Sequence, residues 1–197
     1  MNAPNCDEQD AQDMARLAGG HDAALNDLMD RHAERLFHFL VRSLQNETDA
    51  ADLAQETFVK IFQSRAKFDP QQKFSTWLFT IASNLVRDRY RWRSRHQQVS
   101  LDAENDQTES ALKDTLTAVD PPPDQSLQTE ERAGEVRKAV AALPEELKQP
   151  LILAVYEDLP QAEIATILKC SVKAVETRIY RARQQLRTAL AGLAPAT

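Results

Sequence analysis

The side chains best placed to do chemistry are cationic, and they come in two clusters. Residues 64–97 carry Arg65, Lys67, Lys73, Arg87, Arg89, Arg91, Arg93 and Arg95 against only Asp69 and Asp88, a local charge of +6. Residues 170–197 carry Lys173, Arg178, Arg181, Arg183 and Arg187 against Glu176, a local charge of +4. Guanidinium and ammonium groups at this density bind phosphate, and arginine can also read the edge of guanine. Nucleophile and metal chemistry have no comparable support. His21, His32, His38 and His96 show no HExxH or similar ligand spacing, and neither a GxSxG elbow nor a phosphate-binding glycine loop occurs. These histidines read as surface or packing residues. Cys6 and Cys170 lie far apart and outside any CxxC pair, so both are expected to be free thiols and no metal or cofactor is called for.

The whole chain is nevertheless acidic, at −6 over 197 residues. The acid lies elsewhere. The first thirty residues hold seven acids and one base, and so do residues 98–128, so each segment sums to −6. A binding face needs only local positive potential, and two basic islands divided by acid satisfy that need. No apolar run approaches the roughly 20 residues that cross a bilayer, and no leader-like segment opens the sequence, so a cytoplasmic protein without membrane insertion is expected.

The elements that must position the islands are helices. Glycine is scarce, at 4 residues, and Ala, Leu, Gln, Glu and Arg abound, which favours an all-α fold. Apolar residues recur at helical spacing through Leu25, Leu28 and Met29, then Leu36, Phe37, Leu40 and Val41, then Leu53, Phe58, Ile61 and Phe62. Asn46-Glu-Thr-Asp49 supplies a turn and a cap between the second and third groups. Phe68-Asp-Pro-Gln-Gln-Lys-Phe74 interrupts the next pair at Pro70, and a long helix then runs from about Ser75 through Trp77, Leu78, Ile81 and Leu85 into the arginines. Periodicity fades from Gln97 to Gln128, where Pro121-Pro122-Pro123 forbids a continuous helix. It resumes at Thr129 with Val136, Val140 and Leu143, and Pro144 opens a further helix carrying Leu147, Leu151, Ile152 and Val155. The expected organisation is an acidic tail over 1–20, a helical bundle over 21–97, an acidic flexible linker over 98–128 and a second small helical domain over 129–192.

That second domain has the layout of a helix-turn-helix. Pro160 to Leu168 forms a short helix, Lys169-Cys-Ser171 a tight turn, and Val172 to Arg187 a longer helix. Ile164, Ala165 and Leu168 point inward from the first, and Val172, Val175, Ile179, Ala182 and Leu186 make one stripe on the second. The opposite face offers Lys173, Thr177, Tyr180 and Gln184, flanked by Arg178, Arg181 and Arg183, which suits entry into a major groove. An ordinary hairpin with a solvated basic face would share the pattern. Lys169 stands where many such turns carry glycine, which reaches a positive φ most easily.

The amino-terminal half narrows the reading. Asp52-Leu-Ala-Gln-Glu-Thr-Phe-Val-Lys-Ile-Phe62 resembles the polymerase-clamp-binding helix of the extracytoplasmic-function sigma factors of the sigma-70 superfamily. Phe74-Ser-Thr-Trp-Leu-Phe-Thr-Ile-Ala-Ser-Asn84 resembles the stretch that follows it there. Asp158-Leu-Pro-Gln-Ala-Glu-Ile-Ala165 and Arg178-Ile-Tyr-Arg-Ala-Arg183 are similar to that family's second domain. The resemblance covers about residues 20–97 and 129–190, in order.

The resemblance implies a non-enzymatic protein that binds core RNA polymerase, at the beta-prime clamp helices and the beta flap, and directs promoter recognition, melting and initiation under control of an anti-sigma protein. By the same resemblance Asp52, Gln55, Glu56 and Val59 contact polymerase. Lys73, Phe74, Ser75, Thr76, Trp77 and Asn84 read the melted minus-ten element of promoter DNA, with Arg87, Arg91 and Arg95 on phosphate. Trp77 suits core packing as well as DNA, and Phe74 is balanced between the two. Thr177, Arg178, Arg181 and Arg183 match the family's readers of the minus-thirty-five element, with Lys173 and Tyr180 added from the same exposed face, and Glu176, where the family often has a base, implies a different promoter preference. The acidic linker either imitates nucleic acid inside the polymerase channels or is a solvated tether. The competing reading is a DNA-binding regulator that works without polymerase; it leaves the clamp-like helix unexplained.

Overall fold

The computed structural model describes residues 6–97 and 123–191, with the side chains of 6–96 and 132–191. Eight helices follow in order among them: α1 (Cys6–Ala18), α2 (Ala24–Leu44), α3 (Glu47–Ser64), α4 (Phe74–Gln97), α5 (Pro123–Ala141), α6 (Glu145–Val155), α7 (Gln161–Leu168) and α8 (Val172–Ala189). The fold is all-α. None of these helices is long and apolar enough to cross a membrane.

Caps mark the boundaries that the sequence suggested. The Asn46 side chain accepts from the Asp49 backbone N–H at 2.9 Å, which starts α3. The Ser171 side chain does the same for Ala174 at 3.2 Å at the start of α8. Helix α2 ends where Gln45 turns left-handed, φ 55°, and its N–H reaches the Val41 carbonyl.

Two boundaries differ from expectation. The acidic segment expected as a tail is largely α1, and it packs against α2 with Met14 and Leu17 fully buried. Its acids suit a helix start, where Asp7 and Glu8 meet the positive end of the dipole, and the helix stops at Gly19-Gly20, with Gly20 at φ 92°. Helix α5 begins at Pro123, six residues before the expected Thr129, because proline is well tolerated in a first turn whose N–H groups have no intrahelical partner. The remainder of the expected linker, residues 98–122, lies outside the described residues.

Helices α1 to α4 form one bundle, whose buried residues include Leu28, Leu36, Phe39, Leu40, Leu53, Ile61, Leu78 and Phe79. Helices α6 to α8 form the second, where Leu143, Leu147, Leu151 and Ala182 make a small cluster of their own. The main core runs on from the first bundle into Ile152, Leu153, Ile164, Ile167, Leu168, Val175 and Ile179. The two modules are therefore packed against each other, α7 on α4 and α6 on α2.

Candidate polymerase and promoter surfaces

Helix α3 has two sharply different sides. Leu53, Thr57, Phe58 and Ile61 are buried in the bundle, while Asp52, Gln55, Glu56 and Val59 all lie exposed on the other side. The spacing i, i+3, i+4, i+7 puts these four on one stripe. Val59 is 51% exposed, an apolar side chain set among polar ones. The only ion pair on this stripe among the described residues is Glu56 with Lys60, at 3.3 Å. The face thus has the exposure and chemical mix of a docking surface.

Helix α4 carries the residues expected at melted DNA, and its first turn departs from expectation. Phe74 is 1% exposed, and its ring lies 5.0 Å from His32 and 6.3 Å from both Phe68 and Trp77. Phe74 is packed in the core, where it seals the joint between α2, α4 and the 68–73 turn. Ser75 and Thr76 are buried as well. Thr76 Oγ1 faces Glu163 of α7 at 3.4 Å, and the exposed Lys73 ammonium donates to Glu163 at 2.9 Å. The bond to Glu163 and its charge push the Lys73 pKa above its ordinary value.

Trp77 and Asn84 are half-buried; Trp77 stacks obliquely on Phe68 at 5.1 Å. Along the rest of α4, Arg87 is half-buried and Arg91 and Arg95 are exposed, one turn apart. Arg89 and Arg93 are tied to Asp49 of α3, the former at 2.7 Å. Arg91 stands 3.7 Å from Asp88.

The helix-turn-helix folds as its spacing predicts. Ile164, Ala165, Ile167 and Leu168 are buried on α7, and Val175, Ile179 and Ala182 on α8. Lys169 occupies the left-handed region at φ 51°, so the turn needs the backbone that glycine would have supplied. Opposite the buried stripe, Lys173, Tyr180, Arg181 and Arg183 are exposed, and Thr177 and Arg178 half-buried. Val172, expected on that stripe, is 42% exposed at the first turn. Thr177 Oγ1 donates to the Lys173 carbonyl at 2.9 Å, and Gln184 donates to the Tyr180 hydroxyl at 2.9 Å. Glu176 is satisfied by Lys173 at 3.3 Å rather than by an arginine.

A further group escaped the sequence reading because its members are far apart in the chain. Asp10 of α1 accepts from Arg31 Nε at 2.9 Å and meets His32 Nε2 at 2.7 Å, and Arg31 Nη2 reaches Asp13 at 2.6 Å. Burial alone would raise the Asp10 pKa. The hydrogen bond and charge of His32, and then those of Arg31, outweigh it and hold the carboxyl below its usual range. Cys6 Sγ approaches the same carboxylate at 3.9 Å, which places Cys6, Asp10 and His32 within 4.8 Å of one another. Asp10 is already occupied by two cationic or imidazole donors. This network ties α1 to α2.

Residues 28–96 match the family described as Sigma-70 region 2, and residues 133–186 match Sigma-70, region 4. The chain is 32% identical over 187 residues to RNA polymerase sigma-H factor of Pseudomonas aeruginosa, covering 93% of this chain and 94% of that one. It is 32% identical to the ECF RNA polymerase sigma factor SigW of Bacillus subtilis, over 88% of this chain and 92% of that one. Among solved structures, CnrH in complex with the cytosolic domain of CnrY superposes with a TM-score of 0.67 at 28% identity, covering 93% of this chain and 98% of that one. CnrH of Cupriavidus metallidurans is 34% identical to this chain over 176 residues, 89% of this chain and 91% of that one.

Proposed function

This chain belongs to the extracytoplasmic-function sigma factors of the sigma-70 family, and from that premise we propose how its surfaces divide the work of initiation. As a sigma factor it binds core RNA polymerase and brings it to promoters. The exposed stripe Asp52, Gln55, Glu56 and Val59 on α3 docks on the polymerase clamp, and the second module rests against the flap. The α8 face, with Lys173, Thr177, Arg178, Tyr180, Arg181 and Arg183, enters the major groove of the upstream element. Its arginines hold phosphate and base edges, and Tyr180 adds an exposed ring.

Melting is the task of the 68–73 turn and α4. No nucleotide hydrolysis drives strand opening here, so binding of the unpaired strand must offset lost stacking. Each base stacked on a ring or held by its edge contributes on the order of 1–3 kcal/mol. Lys73, Ser75, Thr76, Trp77 and Asn84 are the groups available for this once α4 is accessible, while Arg87, Arg91 and Arg95 follow the backbone. Phe74 supports that surface from beneath. RNA synthesis itself belongs to polymerase; this chain contributes positioning and binding energy. An anti-sigma protein is its regulator; the similar CnrH is found bound to another protein, the cytosolic domain of CnrY.

The observation that carries the reading is the exposed α3 stripe in a chain that also holds a helix-turn-helix. A regulator acting alone would need only the latter. The test is transcription by purified core polymerase on a promoter library, with and without this protein. Defined start sites that appear only in its presence support the reading, and charge reversal by Gln55→Lys with Glu56→Lys abolishes them. Specific duplex binding by the free chain, unchanged by that double variant and without new start sites, would favour the regulator.

A further inference from the structure

Three side chains with metal-ligating atoms converge at the start of α1. Cys6 and Asp10 stand four residues apart, so they project over one face of the helix, a turn from each other. His32 enters from α2, and one ligand atom from each of the three lies within 4.8 Å of the other two. The linear spacing carries no ligand motif, because His32 is twenty-two residues from Asp10 and sits on another helix. None of the three belongs to the surfaces assigned to polymerase or DNA.

The surroundings hold this geometry. Met14 and Leu17 of α1 are buried against α2, which sets the spacing of the two helices. The Phe74 ring lies 5.0 Å from the His32 ring, and Arg31 Nε donates to Asp10 Oδ1 at 2.9 Å, leaving Oδ2 to face Cys6 and His32. Outer partners of this kind orient a ligand and fix its rotamer. Asp10 and His32 are buried, whereas Cys6 is exposed and opens the cluster to solvent. Residues 6–13 hold Asp7, Glu8, Asp10 and Asp13 and no base, so the local potential draws cations to that opening.

A hydrogen-bonded network accounts for Asp10 and His32, which meet at 2.7 Å, but it gives the Cys6 thiol only a 3.9 Å contact. A tetrahedral ion with bonds of about 2.0–2.3 Å sets its ligand atoms roughly 3.3–3.6 Å apart. The sulfur is already near that separation from Oδ2, and the imidazole reaches it by opening about 0.6 Å through side-chain rotation. One thiolate, one imidazole and one carboxylate suit a borderline-soft divalent ion, whereas calcium and magnesium take oxygen ligands.

We propose that Cys6 Sγ, Asp10 Oδ2 and His32 Nε2 form a zinc(II) site that cross-links α1 to α2, with water in the fourth position. Coordination releases the thiol proton to solvent, and the neutral imidazole keeps its one proton on Nδ1. Arg31 stays on Oδ1 as the orienting partner.

The test titrates the metal-free, full-length chain with zinc(II) alone, in competition with a chromophoric chelator. One equivalent is expected to bind with a dissociation constant on the order of micromolar or tighter. Cobalt(II) in its place gives a thiolate-to-metal charge-transfer band in the near ultraviolet. Cys6→Ser removes that band and weakens zinc binding about tenfold or more, His32→Gln does the same, and Cys170→Ser changes neither. Zinc raises the melting temperature of the unaltered chain but not that of Cys6→Ser, whose metal-free melting matches the unaltered chain because Cys6 is exposed. That match separates loss of a ligand from loss of the fold. The site is overturned if the chain takes up no zinc at these concentrations, or if the cobalt band and the thermal shift survive in Cys6→Ser.

Discussion

The two surfaces proposed for promoter DNA are in opposite conditions. On the first, Lys73 is held by Glu163, Ser75 and Thr76 are buried, Trp77, Asn84 and Arg87 are half-buried, and of its arginines only Arg91 and Arg95 are exposed. On the second, Lys173 pairs only with its exposed neighbour Glu176, Arg178, Arg181 and Arg183 have no ion pair among the described residues, and Tyr180 is 64% exposed. The proposed upstream reader is largely exposed in the folded chain. The surface proposed for melted DNA is partly covered, and several of its residues also serve packing.

The contrast predicts different consequences for aromatic truncation. Phe74→Ala removes a fully buried ring at the joint of α2 and α4 and should cost about 3–5 kcal/mol in chemical denaturation. Tyr180→Ala should leave stability within about 0.5 kcal/mol while weakening promoter use. Equal stability of the two variants would remove Phe74 from the core and return it to the DNA surface.

Arg181→Ala probes the open surface directly. Loss of one base-edge or phosphate contact should cost about 1–3 kcal/mol in promoter binding by the holoenzyme, with denaturation unchanged. The effect should vanish on templates that lack the upstream element. An equal loss on those templates would mean that α8 touches polymerase rather than DNA.

The modules should also differ in acid. Asp10 has a lowered pKa, so its contribution is present above the unfolded value of 3.8 and is lost as pH falls through the folded value. Glu145 of α6 has its pKa raised by burial, against the opposing charges of Arg87, Arg91 and Lys148. Its ionised form is a liability to the fold, which shrinks as pH falls through that raised value towards 4.5. Denaturation across this range should show Asp10→Asn flattening the acid-side loss. Glu145→Gln should be more stable than the unaltered chain near neutrality and converge with it in acid.

What the sequence disclosed follows the same division. The α3 stripe and the α8 face were legible because each is defined within one helix, by a 3.6-residue period and a side-chain cap. Helix α1 was not, because its buried acids depend on Arg31 and His32, eighteen to twenty-two residues away. The packing of α7 on α4 was less legible still. Glu163 and Lys73 are ninety residues apart, and periodicity tells which side of α7 turns inward without telling what lies there. Phe74 shows the limit most clearly. The sequence leaves it balanced between core and DNA, and only the packing of Phe68, Trp77 and His32 around it shows that the ring is enclosed.

The smallest predicted effect concerns the turn that makes the second surface ready. Lys169 holds φ 51° and ψ 49°, a left-handed conformation that brings its Cβ too close to the following carbonyl oxygen. Its N–H still closes α7 by reaching the Ala165 and Thr166 carbonyls, so the strain is repaid locally and the turn keeps its shape. Lys169→Gly relieves the crowding but adds freedom to the unfolded chain, and the balance should be a gain of about 0.5–1 kcal/mol. Because that gain leaves the α8 face where it is, promoter choice should not change. A glycine variant that is more stable but selects different start sites would show that the lysine itself, and not only the turn, belongs to the upstream reader.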